Sequence, residues 1–163
     1  MDFLKFGFLQ NLYSMYQIIR TDASHPEFKT LVKFLDQTLA ISDGEEHAFY
    51  DQFNKIDKIK HAVVAYHENR AVGCGAIREF ELGRVEVKRM YVVEHMRGKG
   101  VAKAILAELE KWAKELGFHS CILETGLKQP EAIQLYHRSG YQVIENYGPY
   151  IGVENSVCFE KAI

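Results

Sequence analysis

The stretch from Arg84 to Glu124 constrains the fold more than any other part of the chain, because it reads as strand, glycine-rich turn, long helix and strand in succession. Arg84 to Val93 is strand-like. Val101, Ile105, Leu109, Trp112 and Leu116 then share one face of a helix, with Lys103, Glu110, Lys111 and Lys114 on the other, and Gly117 is placed to end it. Phe118 to Glu124 is a second strand. Strands joined through a helical crossover lie parallel, so the sheet must contain at least one parallel pair.

The first of these strands carries an irregularity. Val85 and Val87 are apolar on odd positions, whereas Met90 and Val92 are apolar on even ones, with Tyr91 and Val93 apolar as well. One extra residue near Lys88 to Met90 would produce that slip of phase, which is the signature of a β-bulge.

The flanking segments complete a compact pattern. Tyr16 to Arg20 is a short β-branched strand, and His25 to Leu39 places Phe28, Leu31, Val32, Leu35 and Leu39 at helical spacing with Pro26 in the first turn. Glu45 to Phe53 is a weaker helix. His61 to His67, the turn Glu68-Asn69-Arg70 and Ala71 to Glu79 form a hairpin, with Gly73 and Gly75 marking a bulge or a close backbone approach. Pro130 to Arg138 is a short helix, and Tyr141 to Glu145 and Ser156 to Lys161 are strands. The expected order is βααβββαβαββ, an α/β (α+β) fold with a mixed central sheet. One domain over residues 16–163 follows, and residues 1–15 are an apolar extension, broken by Lys5 and Gly7, whose Asp2 does not suit a signal peptide.

Composition narrows the partners. With 163 residues, 47% apolar and 26% charged, the chain suits one core, and a net charge of −2 gives no broad footprint for nucleic acid. No apolar run reaches the roughly 18 to 20 residues of a membrane-spanning helix. Cys74, Cys121 and Cys158 are odd in number and lack CxxC spacing, so neither a disulfide framework nor a zinc site is indicated, and a reducing cytoplasm fits. The apolar extension leaves a homodimer open.

Between the bulged strand and the long helix lies Glu94-His95-Met96-Arg97-Gly98-Lys99-Gly100-Val101-Ala102. Its glycines permit a tight turn, and the first amides of a helix point outward as donors, so this helix start suits a phosphate, with Arg97 and Lys99 adding positive charge. Two phosphate motifs fail here. No Ser or Thr completes a Walker A loop after Gly98-Lys99-Gly100, and Lys103 occupies the third glycine position of a dinucleotide fingerprint.

The segment instead resembles the Arg-x-x-Gly-x-Ala pattern of the GCN5-related N-acetyltransferase (GNAT) family, met by Arg97, Gly100 and Ala102. Gln129 to Tyr141 is similar to that family's second signature, an Asn-x-x-Ala-x-x-Leu-Tyr-x-x-x-Gly-Phe run, with Gln129 standing where Asn is commoner. The resemblance spans about Ile18 to Lys161. It implies transfer of an acetyl group from acetyl-CoA to a primary amine by direct attack, with no metal. A non-catalytic acyl-CoA sensor is the alternative.

The resemblance also implies roles. The backbone of Tyr91, Val92 and Val93 would bond the pantetheine arm in a V-shaped opening between the two parallel strands. The amides of Arg97, Gly98, Lys99, Gly100, Val101 and Ala102 would hold the pyrophosphate, with Gln129 nearby. Glu86, of opposite parity to Val85 and Val87, would face the cleft as general base, although a solvated residue paired with Lys88 or Arg84 has the same pattern. Glu124 is a second candidate base, and Tyr136 is the acid for the departing thiolate. The run Tyr147-Gly148-Pro149-Tyr150 would offer exposed aromatics to the acceptor. His61 and His67 share a strand face without a third metal ligand, and the acceptor itself has no code in the spacing.

Overall fold

The computed structural model describes residues 15–163, so the extension expected over residues 1–15 lies, apart from Met15, outside the described residues. The elements are β1 (Gln17–Thr21), α1 (Pro26–Asp43), α2 (His47–Asp51), β2 (His61–His67), β3 (Arg70–Glu81), β4 (Arg84–Val92), α3 (Val101–Glu115), β5 (Ser120–Gly126), α4 (Pro130–Arg138), β6 (Gln142–Ile144) and β7 (Ser156–Ala162). This is the order read from the sequence. The seven strands form one sheet in the order β1-β2-β3-β4-β5-β7-β6, and β4–β5 is its parallel pair.

Local chemistry explains the boundaries. His25 caps α1 by accepting from the Phe28 amide, and Pro26 stands where a missing amide proton costs nothing. The helix runs four residues past Leu39 and turns at Gly44, while the helix expected over residues 45–53 is a 3₁₀ turn at Gly44–Glu46 followed by the short α2. Glu68 and Asn69 both have positive φ, as a two-residue hairpin turn requires. Gly117 leaves α3 at φ 92°, and Leu116, expected on the buried face, is exposed at the helix end.

The slip of phase is a bulge. Cys74 pairs with Tyr91 and Ala76 with Lys88, so Gly75 alone stands opposite Arg89 and Met90, and Arg89 adopts φ 58°. Val85, Val87 and Val92 consequently pack in one core cluster although their parity differs. Gly75 is required here, since a Cβ would come within 2.6 Å of Met90 Sδ and 2.9 Å of Ile105 and Leu109.

Helix α3 covers one face of the sheet with Ile105, Leu106 and Leu109, and α1 covers part of the other with Phe28, Leu31 and Val32. Full burial of each such side chain stabilises by about 1.5–3 kcal/mol. A third cluster, Tyr50, Ile122, Tyr147, Tyr150 and Cys158, closes the α1–α2 face beside β5. Among the described residues no helix is long and apolar enough to cross a membrane.

Candidate active site

The parallel pairing of β4 with β5 lasts three residues, Arg84–Ser120, Val85–Cys121 and Glu86–Ile122. Both strands continue beyond it, to Val92 and Gly126, paired with β3 and β7 but not with each other, so the sheet opens into a V. The bulge at Arg89 bends β4 and increases its twist. Val93 donates its amide to the Val72 carbonyl of β3, so by alternation the Val92 amide and carbonyl face away from β3. Arg97 Nε donates to that carbonyl at 2.9 Å, and its guanidinium lies 5.6 Å from the Tyr91 ring centroid. Arg97 thus braces the end of β4 in addition to bringing charge to the turn.

Past β4 the chain reaches α3 through Gly98 (φ 74°) and Gly100 (φ 84°). No side chain caps Gly100 among the described residues, and the first intrahelical bond is Ala104 N to Gly100 O at 3.0 Å. The preceding helical amides therefore remain free to donate. Arg97, Lys99 and Lys103 are exposed around them, and Tyr16 fixes the turn by donating to the Lys99 carbonyl at 2.7 Å. Uncapped amides, a helix dipole and three cations fit an anionic group.

The other end of the V is a cavity of about 150 Å³ on the α1–α2 side. Glu86 and Glu124 reach it from β4 and β5, Leu35, Leu39 and Asp43 from α1, Tyr50 from α2, Gln129 and Tyr136 from the α4 end, and Tyr150 from the loop before β7. Glu86 is 2% exposed. Its Oε1 receives Arg78 Nε and Nη2, each at 3.1 Å, and lies 3.7 Å from Lys88 Nζ, while Oε2 accepts the Tyr147 hydroxyl at 2.6 Å. Glu86 is thus neither solvated nor paired with Arg84, which turns instead to Glu81 and Glu160. Burial, opposed by Glu86, lowers the Lys88 pKa.

Glu124 has no such cage. Burial pushes its carboxyl up to about 7, against the opposing pull of Ser156 and Lys88. Tyr136 packs against Tyr141 and Phe159, and burial together with Glu124 raises its pKa. Gln129 Nε2 donates to Ser42 Oγ at 2.7 Å, tying the start of α4 to the end of α1. Tyr147 and Tyr150, expected as exposed aromatics, are 8% and 3% exposed, because they pack on each other and on Phe80 and Phe53. Tyr150 lines the cavity even so. His61 stacks edge-on to Trp112 and His67 to Tyr16, on the sheet face.

Arg78, Arg89, Tyr50 and Asp43 have no place in the sequence reading, whereas Lys88, one of the two partners it offers for Glu86, lies 3.7 Å from that carboxylate. Two adjacent cations, Lys88 and Arg89, at the point where an apolar strand changes phase were the available signal. Arg89 is buried, paired with Asp36 and 3.5 Å from the Val32 carbonyl, and so fastens α1 over the bulge.

The Acetyltransferase (GNAT) family model matches residues 12–141. The chain belongs to this family. Among curated relatives, an IAA acetyltransferase of Azospirillum brasilense is 36% identical over 102 residues, covering 62% of this chain and 67% of that protein. The matched stretches span between about half and two thirds of the first such relatives' own length. A Klebsiella pneumoniae structure, solved as a candidate acyl-CoA N-acyltransferase, superimposes with a TM-score of 0.77 at 32% identity, over 91% of this chain and 98% of that one. A GNAT acetyltransferase from Elizabethkingia anophelis with acetyl-CoA bound shares the fold at a TM-score of 0.67 and 17% identity, over 91% and 99%. The GNAT match ends at Tyr141, before the last two strands, yet β7 supplies Ser156 beside Glu124.

Proposed function

We propose that this chain moves the acetyl group of acetyl-CoA to a primary amine by direct attack in a ternary complex. The observation that carries the reading is the parting of β4 from β5 after Glu86 and Ile122, followed at the end of β4 by an uncapped, glycine-rich helix start. In this reading the amides from Arg97 to Ala102 hold the pyrophosphate of the coenzyme. The edge of β4 around Tyr91, Val92 and Val93 guides its arm, with the Val92 amide as the free donor. Gln129 borders the opposite side of the opening.

An ammonium has no lone pair, so the amine must lose a proton before it attacks. Glu86, Glu124 and Asp43 are the carboxylates that line the cavity, and the two glutamates stand on the strands that part. Tyr136, kept neutral by its raised pKa, donates a hydrogen bond to the sulfur as negative charge develops there. The family and its acetyltransferase relatives support this reading.

The test is thiol release. Isolated protein mixed with acetyl-CoA and a panel of primary amines is expected to liberate coenzyme A only when an amine is present. Tight binding of acetyl-CoA without release for any amine would mark a sensor and sink the enzymatic reading.

A further inference from the structure

The two glutamates of the cavity are on the same sheet face but in different electrostatic settings. Glu86 has a neighbour at each oxygen: two arginine nitrogens and Lys88 on Oε1, and a phenol on Oε2. Both oxygens of this carboxylate are therefore already engaged by neighbouring donors. Glu124 lies two residues beyond Ile122, the partner of Glu86, and opposite Cys158 of β7. Among the described residues no lysine or arginine nitrogen reaches ion-pair distance of it. Facing it are Glu86 and Lys88 of β4, Asp43 of α1, Tyr50 of α2, Tyr136 of α4, Tyr150, and Ser156 and Cys158 of β7. Ser156 is held in turn by the Tyr50 hydroxyl, 3.1 Å away.

The cations that line the cavity are committed. Lys88 lies on Glu86, and Arg89 lies on Asp36 and the Val32 carbonyl. Asp43 adds a carboxylate with His47 at 3.6 Å, and Glu46 and Lys128 act on it from outside the cavity lining. A carboxylate entering with the acceptor would therefore be buried among like charges with no uncommitted cation in the described lining, at a cost in affinity.

We propose that Glu124 takes the proton from the incoming ammonium, that Glu86 holds Lys88 rather than reacting, and that the acceptor is an amine bearing no carboxylate of its own. The assignment rests on the acetyl-transfer reading. One N–H bond of the ammonium breaks and its proton bonds to a Glu124 oxygen. The freed lone pair forms the N–C bond to the acetyl carbon, and the C–S bond breaks with its electron pair leaving on sulfur. A second amine proton ends on that sulfur, and the third stays on the amide nitrogen. Burial, which sets the Glu124 carboxyl near 7, suits it to accept a proton at neutral pH.

The experiment compares three matched pairs with acetyl-CoA: phenethylamine and phenylalanine, tyramine and tyrosine, isobutylamine and valine. The amine of each pair is expected to show kcat/KM at least about 10-fold above its amino acid. The wild-type pH profile should carry a limb near 7 that vanishes in Glu124→Gln, with kcat about 100-fold lower and acetyl-CoA affinity retained. Glu86→Gln should keep the limb. A limb that persists in Glu124→Gln or disappears in Glu86→Gln overturns the base assignment, and amino acids used as well as amines overturn the acceptor class. A wild type that binds acetyl-CoA but is silent with all six overturns acetyl transfer to free amines itself. As a second measurement, carbon-13 spectra of labelled glutamate should show one carboxyl titrating near 7, absent from Glu124→Gln; its absence from the wild type overturns the assignment whatever the turnover.

Discussion

The two ends of the cleft are built by opposite means. The end proposed for the acetyl donor is contiguous in sequence, exposed, and made of backbone: two left-handed glycines and a helix start that no described side chain caps. The end proposed for the acceptor is assembled from β4, β5, α1, α2, α4 and the loop before β7, and its chemistry lies in buried charges that answer one another. A backbone site tolerates changes of side chain but not of φ. A buried charge network is the reverse, since its backbone is ordinary strand and every group depends on its partner.

The largest expected effect lies in the network. Glu86→Ala leaves Lys88 buried without its carboxylate and should cost about 3 kcal/mol, lowering Tm by roughly 10 °C in calorimetry. A Tm within a degree of wild type would show that the cage carries no load. At the donor end, Gly98→Val with Gly100→Val forces side chains onto φ 74° and 84°, each at about 1–2 kcal/mol, so acetyl-CoA should bind about 100-fold more weakly with unchanged circular dichroism. Binding that survives would move the phosphate site elsewhere.

The Glu124 carboxyl gives a prediction with a sign. Its folded value is raised to about 7, so the folded protein keeps a proton that the unfolded chain has released at mid-range pH. The stability from this group is complete below the ordinary carboxylate range and is lost as pH rises through 7. Glu124→Gln removes that loss, and urea titration should find it more stable than wild type at pH 8 by on the order of 2 kcal/mol, with the gain fading toward pH 4. A gain that grows toward acid pH would reverse the argument.

Smaller effects sharpen the division. Tyr136→Phe should lower kcat by about 10-fold while leaving acetyl-CoA affinity within about 2-fold, because the phenol belongs to the buried end. Unchanged kcat would remove it from the mechanism. Arg97→Met should weaken acetyl-CoA binding only a few-fold, roughly 3-fold, and the difference from wild type should shrink as salt screens the exposed charge.

The same division governs what the sequence revealed. The bulge was legible because parity is local: one extra residue between Val87 and Met90 exchanges odd for even, and the register at Gly75 shows it. The helix start at Gly100 was legible because glycine at positive φ and a run of free amides are consecutive in the chain. Glu86 was found as a cleft residue, but its cage was not, since Arg78 and Tyr147 reach it from 8 and 61 residues away. A turn-rich, proline-bearing loop suggests a surface for Tyr147 and Tyr150, whereas Phe53, Phe80 and Tyr50 fold over it and bury both. Parity and motif see neighbours along the chain. Pairing of buried charges depends on which strands the crossover brings together.

The most direct measurement of whether the two ends serve one reaction is the stoichiometry of products. Wild-type protein is incubated with acetyl-CoA and phenethylamine, free thiol is counted by a colorimetric reagent, and the N-acetylated amine is quantified by mass spectrometry. Equal amounts of the two, both dependent on the amine, are the predicted result. Thiol released without N-acetylated amine would mean hydrolysis at the donor end alone, and would contradict the account.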